Sequence, residues 1–148
     1  MEAKEIRDTF VTTFGIETYR KFVLSLYESF PPRNRFFFWQ EEQIKTLCNH
    51  LEIPELTWEQ VYRTFDHCPL HNSLLIEDIV PIVDGLHDPI PGFYQTEALY
   101  FPLSNIEAPR NLEMSDYPPT VTVRYCERCR ELAREWLSES KKKVDPIG

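Results

Sequence analysis

Four side chains of thiol or imidazole type fall into two pairs with the same internal spacing, Cys68-Pro69-Leu70-His71 and Cys126-Glu127-Arg128-Cys129. Two intervening residues let both side chains of a pair reach one point across a tight turn or the first turn of a helix. Thiolate and imidazole are the donors zinc prefers, in a tetrahedron with Zn–S near ~2.3 Å. Two thiolates from the second pair, one from the first and one imidazole complete a Cys3His set. A site with four protein donors leaves no position for water, so the chemistry expected of one such zinc ion is structural.

A CxxC taken alone reads equally as a redox pair or as two buried thiols. The second pair follows an expected strand and opens an expected helix, a context that redox motifs share. The companion CxxH, in a chain with 4 cysteines, favours metal. His67 competes with His71 because it adjoins Cys68, although neighbouring residues chelate one ion poorly. Cys48 and His50 fall on an expected helix, as core and surface residues. The pairs lie 54 residues apart. Loop closure grows only as the logarithm of length, so this separation costs about 1 kcal/mol more than a compact spacing. Structural zinc supplies on the order of 10 kcal/mol.

This pattern resembles the treble-clef and zinc-ribbon-like fingers. The resemblance implies a knuckle at Cys68–His71, hairpin strands at Leu74–Val83 and Val121–Tyr125, and a helix from Cys126 to Ser140. Asn72 stands where those knuckles usually place glycine, and it tolerates positive φ next best. The likeness covers about 40 residues in two pieces and implies a metal scaffold without naming an activity. The histidine in the second ligand position and the long insertion depart from it.

The elements that must position these donors give an α+β chain of one domain, 1–148, with residues 1–66 helical and 67–143 zinc-binding. Ile6, Phe10 and Phe14 mark a first helix, ended by Gly15. Tyr19, Phe22, Val23, Leu26, Tyr27 and Phe30 form a stripe at helical spacing, closed by Pro31-Pro32. Ile44, Leu47, Cys48 and Leu51 mark a third helix. Thr57 with Gln60 is a capping box for a fourth, carrying Trp58, Val61, Tyr62 and Phe65. Leu74–Ile76 and Ile79–Val83 suggest one or two strands, with Pro81 at an edge or bulge. The proline-rich insertion 84–119 is expected to be mostly loop, with one helical turn. Leu132, Ala133 and Trp136 face inward on the last helix.

Composition is that of a globular protein, 42% apolar and 14% aromatic. No apolar run reaches the length that spans a bilayer, and the N-terminus has no secretory pattern, so a cytoplasmic location is the expectation. The net charge of −8 is concentrated between 68 and 123, where one arginine meets eight carboxylates. Such a field repels phosphate backbones and attracts a basic partner, or serves solubility alone. The H-x-E and H-E-x-x-H patterns of zinc enzymes are absent, as is any glycine-rich phosphate loop. Asp84, His87 and Asp88 form a compact acid–base cluster that an exposed turn explains equally well. No enzyme is expected.

Residues 41–65 faintly resemble a helix-turn-helix but carry the wrong charge for DNA. Arg124, Arg128, Arg130, Arg134 and Lys141–Lys143 are interleaved with Glu127, Glu131, Glu135 and Glu139, which reads as a solvated helix face. Glu97, Glu107, Glu113 and Asp116 among Tyr94, Tyr100, Phe101 and Tyr117 could form a recognition surface, or the aromatics pack the loop onto the helices. The expected role is a protein–protein interaction module of immunity or adaptor type. A nucleic-acid-binding regulator and a zinc-dependent hydrolase are the rival readings.

Overall fold

The computed structural model describes residues 1–27, 34–84, 90–110 and 118–144. Helix α1 spans Ala3–Phe14 and α2 spans Ile16–Leu26, with Gly15 between them at φ 91°. Its amide donates to the Val11 carbonyl and its own carbonyl accepts from Tyr19, so one residue ends one helix and starts the next. That φ requires glycine. The apolar stripes meet as expected. The Phe10 ring lies 4.7 Å from Phe22 and 5.7 Å from Phe65, and all three are fully buried.

Helix α2 stops at Leu26, ahead of the Pro31-Pro32 expected to end it; those prolines and Phe30 lie outside the described residues. Tyr27 leaves helical geometry, and its hydroxyl, a single donor, lies between the carbonyls of Phe65 (2.6 Å) and Tyr62 (2.9 Å). Helix α3 spans Phe38–Leu51. Gln40 is fully buried there, its oxygen accepting from the Phe37 amide and its nitrogen donating to Ser25. Helix α4, Trp58–Thr64, starts on the expected reciprocal cap between Thr57 and Gln60.

The β part is a three-stranded sheet in the order β2-β1-β3. Strand β1 is one continuous element, Ile76–Asp84, antiparallel to β3, Thr120–Tyr125, from Ile76 opposite Tyr125 to Pro81 opposite Thr120. Strand β2, Ala108–Arg110, runs parallel to β1 from Ile82 onward. Pro81 therefore sits in the central strand rather than at an edge. Pairing with β3 ends opposite it and pairing with β2 begins one residue later, so its missing N–H falls at the change of partner.

The insertion holds more order than expected. Besides β2 it carries α5, Phe93–Tyr100, longer than a single turn. Helix α5 packs on α6, Glu127–Val144, with the Phe93 ring 5.7 Å from Trp136. The core joins these layers: Phe10, Phe22, Phe65, Phe93, Phe101, Ala133 and the three cysteines Cys68, Cys126 and Cys129 belong to one buried cluster. The fold is α+β with a helical N-terminal part.

Candidate metal centre

A knuckle and a helix start bring the four donors together. Residues 68–72 form a tight turn in which the Asn72 amide donates to the Cys68 carbonyl at 2.8 Å and the Cys68 amide to Ser73. Asn72 holds the left-handed φ of 54° that this turn needs. Cys126 and Cys129 occupy the entry to α6, and the Cys129 amide points at the Cys126 sulfur, 3.4 Å away.

The His71 Nδ1 lies 3.6 Å from Cys68 Sγ, 3.6 Å from Cys126 Sγ and 3.4 Å from Cys129 Sγ. The Cys68 and Cys129 sulfurs are 3.8 Å apart. A tetrahedral ion with Zn–S of about 2.3 Å and Zn–N of about 2.0 Å separates its ligands by about 3.8 Å for sulfur pairs and about 3.5 Å for sulfur–nitrogen pairs. These spacings match, and all four ligand atoms lie within 4.8 Å of one another. Cys68, His71, Cys126 and Cys129 therefore form a group that can hold one metal ion. The three sulfurs are buried and the imidazole half-buried.

The surroundings divide the three sulfurs: hydrogen bonding with Cys126 raises the Cys68 and Cys129 thiols above the ordinary range, while Cys126 itself is lowered. Backbone amides of His71 and Leu70 oppose that rise at Cys68, and the Leu103 amide opposes it at Cys129. The Cys126 thiol is pushed well below the ordinary range by hydrogen bonds from Cys129 and then Cys68. Within the cluster, Cys126 is thus the sulfur that gives up its proton first.

His67 takes no part in the group. Its Nδ1 is 2.8 Å from the Asp66 carboxylate, which also meets Arg7 at 3.4 Å. Cys48 is buried in the helical core, where burial raises its thiol, and His50 is exposed on the same helix. Glu113, Asp116, Tyr117, His87 and Asp88 lie outside the described residues, as does the side chain of Asp84.

The insertion contributes a support that residue spacing does not reveal. The Leu103 carbonyl accepts from the Cys126 amide at 2.9 Å, while its amide serves Cys129. Arg130 fixes this segment: Nε donates to the Ser104 carbonyl (2.7 Å), Nη2 to that of Asn105 (2.8 Å) and Nη1 to Asp78 (2.8 Å). Its guanidinium lies 3.5 Å from the centre of the Tyr125 ring. Arg124 acts likewise towards the helices, donating to the Tyr62 carbonyl at 2.9 Å and stacking 4.1 Å over the Tyr62 ring. Two cations expected on a solvated face are thus internal, whereas Arg128 remains exposed and pairs with Glu131.

The aromatics of the insertion divide. Phe101 is buried, Tyr94 is half-buried against the core and Tyr100 is exposed. Glu97 accepts from Ser104, and Glu107 is half-buried, its carboxyl raised by desolvation. Among the described residues no helix is long and apolar enough to cross a membrane. Compared with protein-family models, curated proteins and solved structures, the chain yields no significant match.

Proposed function

We propose that the chain binds one structural zinc ion in a treble-clef-like Cys3His site and works as a protein–protein interaction module of adaptor or immunity type. The observation that carries the zinc reading is the agreement between the spacing of the four donors and a closed tetrahedron. Three thiolates with one imidazole suit zinc over magnesium or calcium, which take oxygen donors. A hydrolase would need one coordination position for water, and His71 supplies a fourth protein donor instead. A nucleic-acid reader would display cations; Arg124 and Arg130 face inward and spend their donors on backbone carbonyls. The interaction reading is supported by exposed apolar residues on the insertion, Leu99 and Tyr100, held by a rigid core.

Metal analysis of the purified chain should give one zinc per chain. Cobalt substitution should give the visible bands of a tetrahedral thiolate site. Octahedral cobalt bands, or metal bound only through Cys126 and Cys129, would refute the assignment. For the interaction half, a protein co-purified from the native host should re-form a defined complex when both components are purified separately. Failure to reconstitute any such complex would refute it.

A further inference from the structure

The surface beside the metal centre is a groove with walls of opposite charge. Its larger part, about 780 Å³, is bounded by Arg20 of α2, Leu70 and His71 of the knuckle, Leu99 and Tyr100 of α5, and Trp136, Glu135 and Glu139 of α6. An adjoining hollow of about 590 Å³ shares Arg20, Leu70 and Leu99 and extends to Lys21 and Trp39. The two therefore adjoin as one trough, with Leu70, Leu99, Tyr100 and Trp136 as its apolar lining. Leu99 and Tyr100 are 61% and 63% exposed, more than apolar side chains of a closed surface usually are. The α2 wall carries Arg20 and Lys21, and the α6 wall carries Glu135 and Glu139. Among the described residues no ion pair joins these walls, and Lys21 rests over the Trp39 ring at 5.6 Å.

Resting on the interaction reading above, we propose that this trough takes an amphipathic helix of a partner protein. The apolar stripe of that helix lies on Leu70, Leu99, Tyr100 and Trp136. One flank is acidic and faces Arg20 and Lys21; the other is basic and faces Glu135 and Glu139. Apolar side chains contributed by three separate elements, the knuckle, α5 and α6, fit residues at i, i+4 and i+7 of a helix. The charged walls set its direction, because reversing the helix exchanges its flanks and places like charges opposite each other. Leu70 and His71 come from the knuckle, so the metal centre shapes the lining of the trough.

Three synthetic helical peptides of about 18 residues test this. They share one leucine stripe and differ in their flanks: one acidic and one basic, both acidic, or both basic. By fluorescence anisotropy on the full zinc-loaded chain, the mixed peptide should bind at least about tenfold more tightly than either other. Arg20→Glu with Lys21→Glu should transfer the preference to the doubly basic peptide. Glu135→Lys with Glu139→Lys should transfer it to the doubly acidic one. All four side chains are exposed, so zinc content and circular dichroism should stay unchanged. Equal binding of the three peptides, no binding, or a preference that the charge reversals leave unmoved would overturn the proposal. So would sedimentation showing a dimer that Arg20→Glu abolishes, since a second copy would then occupy the trough. A reconstituted natural complex indifferent to both reversals would sink the trough while leaving the interaction reading intact.

Discussion

Arg130→Met tests how the insertion is fastened to the candidate metal centre. Arg130 is 8% exposed and directs two donors to backbone carbonyls and one to Asp78. Methionine fills much of the same space but supplies no donor, so the Ser104 and Asn105 carbonyls each lose a charged partner. A hydrogen bond from a charged donor contributes about 1.5–3 kcal/mol. The stacking on Tyr125 adds about 1 kcal/mol. These contributions share one side chain and do not add fully, so the loss should fall at about 3–5 kcal/mol. Against the ~5–15 kcal/mol of an ordinary domain, that is a large fraction.

Urea unfolding at neutral pH under saturating zinc would measure it. Asp78→Asn should cost far less, because the Asp78 side chain is 44% exposed and water replaces its partner. The two variants also separate by pH. The hydrogen bond from Arg130 holds the Asp78 carboxyl below its usual range. Its contribution is therefore present above the unfolded-state value and lost as pH falls through the folded one. That acid-sensitive component should vanish in Arg130→Met. A loss below about 1 kcal/mol, or equal losses in the two variants, would refute the view that Arg130 acts through the backbone of the insertion.

Cys126→Ser should abolish stoichiometric zinc and remove on the order of 10 kcal/mol of binding energy, whereas His67→Ala should keep one zinc per chain; metal analysis separates the two. Asn72→Val should destabilise by about 1–2 kcal/mol in denaturant unfolding, because a β-branched residue is forced to positive φ, while Asn72→Gly should stay within about 0.5 kcal/mol. Glu107→Gln should raise the melting temperature at pH 7 and leave it unchanged near pH ~3. Burial lifts the Glu107 carboxyl in the folded state, so whatever its folding favours is present below the unfolded-state value and lost as pH rises through the folded one.

The grouping of Cys68, His71, Cys126 and Cys129 was legible because chelation imposes a short local spacing that survives any insertion between the pairs. The first four helices were legible for a similar reason: Tyr19, Phe22, Val23 and Leu26 repeat with the helix, and Thr57 with Gln60 signs a start. Arg124 and Arg130 were not. Alternating charges at i and i+4 look the same whether water or a neighbouring carbonyl receives the guanidinium, and only the tertiary fold decides. Helix α5 was hidden by the prolines around it, and the role of Leu103 by its use of backbone groups alone, which no side-chain pattern reports. The parallel pairing of β2 joins residues distant in the chain through three residues, too few for a period.

The double engagement of Leu103 changes what counts as the unit that carries the candidate metal site. A treble-clef-like module, as proposed above, would ordinarily be thought portable: knuckle, hairpin and helix could be lifted out and the excursion between them shortened to a turn. Here, excising the excursion would strip the Cys126 amide of its acceptor, Cys129 of a donor and Arg130 of both its carbonyls. The smallest autonomous unit must therefore retain Leu103 to Asn105, and grafting the four ligands alone into another scaffold would transfer the coordination chemistry without the frame that makes it rigid.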